Sequence, residues 1–173
     1  MSKQVVLRRV QGYKDSMVTS DAWLPPFKEA VDKHVNWKQT GFIHIDSNGF
    51  GLACEACRSN KPASIQITLS SNDRFSDPTV LYLGTECCRK GEMYHHFYHF
   101  QQHMYQKVKK LVDSVRRKRK ESTTEAIFEH LLSKGYVYKL TKNVKKAFND
   151  VVMIYNLQGQ RARVDDLSSS EDE

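Results

Sequence analysis

The sequence predicts an α+β fold: a small antiparallel β-hairpin and sheet carrying a Cys/His zinc site, followed by a long amphipathic helix and two further helices. Three observations predict it. Between positions 41 and 83 apolar residues alternate with polar ones, as in half-buried strands. From position 93 they recur at three and four, as on one face of a helix. All four cysteines, at 54, 57, 87 and 88, lie where one pattern gives way to the other.

The elements follow in order. Within Ser20 to Trp37, Phe27, Ala30, Val31, His34 and Val35 recur at helical spacing behind the pair Pro25-Pro26, so a short helix is expected to start at Pro26. Gly41 to Ile45 and Phe50 to Ala53, joined by Asp46 to Gly49, predict two strands and an Asn-Gly turn, and the second strand delivers Cys54. Ile65, Ile67 and Leu69 place a third strand at Ala63 to Leu69; Ser70 to Pro78 is loop, and Thr79 to Leu83 is a fourth strand. Met93, Tyr94, Phe97, Met104, Tyr105, Val108, Leu111, Val112 and Val115 then predict one amphipathic helix from Gly91 to Lys120. Ser122 to Glu125 has the form of a capping box, opening a helix through Ile127, Phe128, Leu131 and Leu132 that is expected to stop at Gly135. Tyr136 to Leu140 reads as a short extended bridge. Thr141 then caps a last helix with Val144, Ala147, Phe148, Val151, Val152 and Tyr155 on one side.

A chain of 173 residues with 39% hydrophobic content can bury one respectable core. One zinc-binding domain is therefore expected over residues 20–157, after an N-terminal extension at 1–19. From Gln158 serine and acid replace apolar residues, which predicts a disordered acidic tail over 158–173. No run approaches the roughly 20 apolar residues that span a bilayer, and the first residues lack the apolar stretch of a secretion signal. A reducing, soluble compartment is the expectation.

Charge is unevenly spread. Arg89 to Lys146 holds 15 Lys/Arg against 5 Asp/Glu in a chain whose net charge is +7. The segment Asp165 to Glu173 holds five acids and no base. A block as basic as the first attracts phosphates, although a solvated helical face explains the same composition.

In a reducing compartment a close cysteine pair reads as a metal site before it reads as a disulfide. The spacing Cys54-x-x-Cys57 puts two thiolates on one tight turn, where both reach an ion at about 2.3 Å. Cys87 and Cys88 follow, beside His95, His96, His99 and His103. Taken singly, each of these histidines is first a helix residue, packed in the core or hydrogen-bonded at the surface.

The order Cys54-x-x-Cys57, short strand, Leu83-Gly84-x-x-Cys87, then Tyr94, His95, His99 and Phe100 at the head of a basic helix, resembles the family called domain of unknown function 4211. The resemblance extends over residues 20 to 155, with Leu69-Ser70 where the family tends to have a Leu-Ser-Gly turn. This chain departs from the pattern in the short loop between Leu69 and Leu81 and in Cys88, which doubles the usual single cysteine. What the resemblance implies is a eukaryotic, nuclear, chromatin-associated protein with one zinc ion on Cys54, Cys57, Cys87 and His95.

Helix geometry sets a condition on that ligand set. Eight residues of continuous helix rise about 12 Å, too far for Cys87 and His95 to share a tetrahedral ion. The set therefore requires a non-helical backbone from Gly84 to Lys90 and a bend at Gly91. Otherwise Cys88, or after it His99, takes the fourth place.

Glu86 and Glu92 flank the cysteines, so a zinc hydrolase or deaminase can be drawn. The His-x-Glu with Pro-Cys-x-x-Cys of nucleobase deaminases and the His-Glu-x-x-His of zinc proteases are both missing from the sequence. A structural Zn2+, no catalytic residue and no small-molecule substrate are expected. The expected partner is nucleic acid or a nucleosome, met with weak sequence specificity by Lys107, Lys109, Lys110, Arg116, Arg117, Lys118, Arg119, Lys120, Lys142, Lys145 and Lys146. The alternative is a protein-docking module that uses part of the stripe Tyr94, Phe97, Tyr98, Phe100 and Tyr105, where core packing is the plainer reading for Tyr94 and Phe97. Arg116 to Lys120 has the form of a nuclear-import signal, and Ser168 to Glu173 that of an acid-directed phosphorylation site.

Overall fold

The structure, a computed structural model, describes residues 3–20, 23–42, 52–57, 62–73, 76–118 and 123–168, and for 19–20 and 154–168 the backbone alone. The expected Asn48-Gly49 turn with its flanking residues 43–51, the cations Arg119 and Lys120, Ser122, and the acidic end 169–173 lie outside the described residues. The chain divides into two compact units, Met1–Gln106 and Lys107–Glu173. One domain over 20–157 was expected; the division falls instead inside a helix, near its middle.

The first unit opens on α1 (Lys3–Ser20), a helix where an extension was expected. Val6, Val10, Tyr13 and Met17 run along it at spacings of four, three and four, which makes one apolar stripe. Val10 and Met17 are buried, and Tyr13 meets Phe97 at 5.7 Å between rings. Helix α2 (Pro25–Lys33) starts with proline in its first turn, one residue before the expected start, and buries Phe27 and Val31. It stops at His34, which is extended and 1% exposed. Both ring nitrogens of His34 are engaged, Nδ1 with Ser71 Oγ and Nε2 with Thr79 Oγ1, each at 3.1 Å. Those contacts end the helix earlier than its apolar spacing suggested.

Three antiparallel strands follow, β1 (Asn36–Phe42), β2 (Ile65–Ser70) and β3 (Thr79–Leu83), in the order β1-β2-β3. Strand β2 is central, with Ile65, Ile67 and Leu69 buried and Gln66 and Thr68 turned to the other face. Ile67 pairs with Gln39 on one side and Leu81 on the other. The predicted third and fourth strands are these two. The predicted first strand is displaced: β1 begins at Asn36, five residues before Gly41, and pairs with β2 through an irregularity between Gln39 and Gly41.

The single long helix expected from Gly91 to Lys120 is two helices, α3 (Thr85–Tyr98) and α4 (Phe100–Lys118). Its start lies six residues earlier because Gly84 serves as the N-cap, and an ion pair between Glu86 and Arg89 at 3.0 Å supports the first turn. The break falls at His99, whose backbone N–H is shared between the carbonyls of His95 and Phe97. Gly91 marks no bend. It lies in mid-helix because an added Cβ would stand 2.8 Å from Phe27 Cζ and 2.9 Å from Trp37 Cη2. In Gly12, mid-α1, a Cβ would meet nothing within 4 Å. The two glycines should therefore respond with opposite signs in thermal melts. Gly12→Ala gains helix propensity of about 1 kcal/mol, whereas Gly91→Ala loses about 1–2 kcal/mol to overpacking beyond that gain.

In the second unit, residues 107–118 of α4 continue into a core of Val115, Ile127 and Leu131, with Leu111 and Val112 packed against it. Helix α5 (Thr124–Ser133) is capped by Thr123, whose Oγ1 accepts from Ala126 N–H at 3.3 Å, one residue after the capping position expected at Ser122. It ends, as expected, at Gly135, whose φ of 66° is the left-handed value a helix C-terminus favours. The extended bridge at Tyr136 to Leu140 is replaced by helix. Helix α6 (Tyr136–Ser168) begins at once, with Lys139 N–H bonded to Gly135 C=O at 3.0 Å. Thr141 is no cap; its Oγ1 donates to Val137 C=O one turn back. Phe148 and Val151 are buried, Val152 is exposed. The helical backbone continues to Ser168, where disorder was expected from Gln158.

Candidate metal centre

Residues 54–57 form a tight turn held from two sides. From β3, Tyr82 C=O accepts from Glu55 N–H at 2.9 Å, and Tyr82 N–H donates to Glu55 Oε2 at 2.6 Å. From the segment before α2, Leu24 N–H donates to Ala56 C=O at 2.9 Å, and Trp23 pairs with Cys57 as an isolated bridge. Trp23 in turn packs edge-on against Phe27 and Tyr94. Ser64 N–H to Leu83 C=O then sets where β3 hands over to α3. The handover matters because Cys87 is the third residue of α3, one turn from its Gly84 cap.

The sulfurs of Cys54, Cys57 and Cys87 all lie within 4.8 Å of one another. Tetrahedral zinc with Zn–S bonds of about 2.3 Å separates its sulfurs by about 3.8 Å, so the trio fits such an ion with small side-chain adjustment. Among the described residues this is the group of three or more possible ligands that comes together. Soft thiolates select zinc, copper(I) or iron–sulfur chemistry over magnesium or calcium.

The electrostatics of the trio point the same way. Burial opposes ionisation of Cys54, but N–H groups of Gly84 and Ala56 and the thiols of Cys87 and Cys57 outweigh it, holding Cys54 below the usual thiol value. The Gly84 N–H lies 3.3 Å from Cys54 Sγ, at the N-terminus of α3, where helix dipoles favour negative charge. Cys87 is pushed far above the usual range, first by burial, then by its hydrogen bond to Cys57 and the charge of Cys54. One thiolate is thus favoured and a second disfavoured. A divalent cation reverses the second effect, since its charge stabilises every thiolate bound to it.

His95 is not a fourth ligand. Helix α3 is continuous from Thr85 to Tyr98, so His95 lies about 12 Å along the axis from Cys87. Its Nε2 bonds to His34 C=O at 2.9 Å. His99 Nε2 bonds to Val31 C=O at 3.0 Å and His103 Nε2 to Val35 C=O at 2.9 Å. The three imidazoles, each one turn after the last, therefore satisfy one carbonyl in the last turn of α2, which a helix leaves without a partner, and two just past its end. Burial lowers the pKa of His95 to about 4, against the bond to His34 and with the repulsion of His99, His103 and His96. His99 is likewise lowered by burial, against its bond to Val31.

Cys88, the first substitute, is separate too. Successive helix residues point about 100° apart, and Cys88 turns into the core, 4% exposed. Burial, then Glu92 and Cys54, push its thiol up to about 11. The centre presented by the described residues is a set of three cysteines. Its third member was legible only as a spacing, because sequence places Cys87 and Cys88 equally near and helix phase alone separates them.

The cations expected to meet phosphate are exposed wherever they are described: Lys107, Lys109, Lys110, Arg116, Arg117 and Lys118 on α4, and Lys142, Lys145 and Lys146 on α6. Of those on α4, Lys109, Lys110 and Arg117 lie on the half of the helix away from the stripe of Val108, Leu111, Val112 and Val115, Lys107 and Arg116 lie at its edge, and Lys118 lies beside Leu111 and Val115. Of the aromatic stripe, Tyr94, Phe97 and also Phe100 are buried, while Tyr98 and Tyr105 are 40% and 62% exposed. Among the described residues no helix is long and apolar enough to cross a membrane.

No curated protein and no solved structure matches the chain. A family model does, over a span other than the expected 20 to 155: it takes in α1, the Cys54-Cys57 turn and β2, and it ends before β3, Cys87 and the histidines. Residues 1–74 match the family model described as Domain of unknown function (DUF4211).

Proposed function

We propose that the chain is a nuclear zinc-binding module that binds nucleic acid or chromatin through its basic helix, with weak sequence specificity. The convergence of Cys54, Cys57 and Cys87 carries the zinc half of this reading. One zinc ion there is structural: it ties the 54–57 turn to the start of α3. A metal of this kind stabilises by being bound only in the folded state. His95, Cys88 and His99 are accounted for by packing and hydrogen bonds, so the fourth position belongs to water or to a group outside the described residues. The module is read as no enzyme.

Support for the nucleic-acid half is the exposed run Lys107 to Lys118, six cations over three turns of α4. Neutralising phosphates releases counterions, so the affinity for duplex DNA should fall steeply with salt. The triple change Lys109→Glu, Lys110→Glu and Lys118→Glu is expected to weaken duplex binding more than tenfold and to flatten the salt slope by about three, one per lost contact. An unchanged slope would remove this reading. Arg116 to Lys120, as an import signal, fits the nuclear location.

A protein-docking role has its own support. Phe128, Leu132, Tyr138 and Met153 on α5 and α6 are large apolar side chains 48–72% exposed. In that reading zinc binding persists and salt-dependent nucleic-acid binding is lacking.

A further inference from the structure

A cavity of about 770 Å³ opens in the first unit between α1 and the junction of α3 with α4. That is a volume typical of small-ligand sites, which span about 300–1,000 Å³. Val10, Phe97 and Phe100, all buried, form its apolar floor. Its charged lining is of one sign, Arg8 and Lys14, with no acid among the lining residues. Lys14 Nζ stands 4.9 Å from the centre of the Tyr98 ring, so a cation and an aromatic face are already paired. Tyr105, seven positions further on in α4, is 62% exposed, and Gln101 and Gln102 offer amide groups between the two tyrosines.

Each part has a counterpart in a nucleotide. A ring with an open face suits stacking of a base, which every base offers. The cations Arg8 and Lys14, which line the same cavity, suit phosphate, and amides can pair with base edges. Helix α1 carries four cations, Lys3, Arg8, Arg9 and Lys14, against one acid, Asp15, and Asp15 is engaged by Gln11 at 2.8 Å. Two cations beside two aromatic rings are few for an acidic peptide and sufficient for one nucleotide. A duplex, with its bases stacked inside, cannot present a ring to this floor.

We infer that this groove binds a nucleotide unit of single-stranded nucleic acid, the base stacking on Tyr105 and Tyr98 and the phosphate meeting Arg8 and Lys14. The inference takes its ligand class from the reading proposed above but rests on other residues, Arg8, Lys14, Tyr98 and Tyr105. The two are separable by variant and by strand.

The full chain is titrated with fluorescein-labelled oligo(dT) and oligo(U) of about 15 nucleotides, with a duplex of equal length, with AMP and with polyglutamate. Tyr105→Ala and Arg8→Ala should each weaken single-strand binding about tenfold, and leave duplex affinity within about twofold. Tyr105→Trp should keep it, which separates stacking from a structural role. The Lys109→Glu, Lys110→Glu, Lys118→Glu variant should show the reverse pattern. Single-strand affinity that Tyr105→Ala leaves unchanged would overturn the inference, whatever the duplex does. So would polyglutamate binding that Arg8→Ala abolishes without any single-strand binding. If single strands bind through Tyr105 while no duplex binds, the groove stands and the basic-helix reading falls. AMP that displaces oligo(dT) at its own nucleotide concentration identifies a free-nucleotide site and overturns the single-strand assignment.

Discussion

Chelating zinc from the purified chain is expected to lower the melting temperature of its first unit by about 15–30 °C. An ion held at a thousandfold excess over its dissociation constant contributes about 4 kcal/mol, and in a unit of this size each kcal/mol moves the midpoint by about 4–8 °C. The local reason is the sparse anchoring of the 54–57 turn. Backbone pairing with Tyr82 and Leu24 holds it, and without the ion three sulfurs are left within 4.8 Å with one thiolate favoured between them. Trp23 and Trp37 are the two tryptophans of the chain, and both belong to the first unit, so selectively excited tryptophan fluorescence follows that unit alone. Cys54→Ala should reproduce the chelated midpoint and make it insensitive to added zinc. A chelated midpoint within a few degrees of the untreated one would mean that the turn stands without the ion.

Acid is expected to destabilise the first unit, and His95 is the group with the largest share. Its pKa is about 4 in the fold, against about 6.5 in an unfolded chain, so between these values the unfolded state binds the extra proton. Stability is therefore full above pH 6.5 and falls as pH drops toward 4, by about 1.4 kcal/mol per unit for this one residue. At pH 4.5 that amounts to a loss of about 3 kcal/mol. His34 and His99 act in the same direction, each lowered first by burial; Lys33 and His99 add to the effect on His34, while Asp32 opposes it at His99. His95→Gln retains a donor for the His34 carbonyl and removes the titration. The variant should be less stable than the parent at pH 7.5 and closer to it at pH 4.5. Zinc loss in acid is common to both proteins, so the difference between their profiles isolates His95. Parallel profiles would show that His95 does not titrate as its burial requires.

What the sequence made legible was decided by short range. The alternation Ile65, Ile67, Leu69 specifies a central strand by itself, and the structure buries those three residues. Thr79 to Leu83 and the stop at Gly135 were likewise local signals, a short run of β-branched, aromatic and leucine residues and a left-handed glycine. Cys54 and Cys57 announced themselves by spacing. The misses share a cause in contacts between distant segments. His34 ends α2 because Ser71 and Thr79 take its ring, and both lie more than 35 positions away. Gly91, read as a bend, is an accommodation to Phe27 and Trp37. His95 was assigned to the metal by family pattern, and the carbonyl it serves belongs to His34, 61 positions away. Tyr136 to Leu140 has strand-forming residues, yet the turn at Gly135 starts a helix there.

The central claim is that Cys54, Cys57 and Cys87 hold one metal ion without His95. Elemental analysis of the purified chain beside Cys54→Ala, Cys87→Ala, Cys88→Ala and His95→Gln tests it most directly. One equivalent of zinc is expected in the parent, in Cys88→Ala and in His95→Gln, with little or none in Cys54→Ala and Cys87→Ala. A parent without metal, or zinc lost from His95→Gln and kept in Cys87→Ala, would contradict the account.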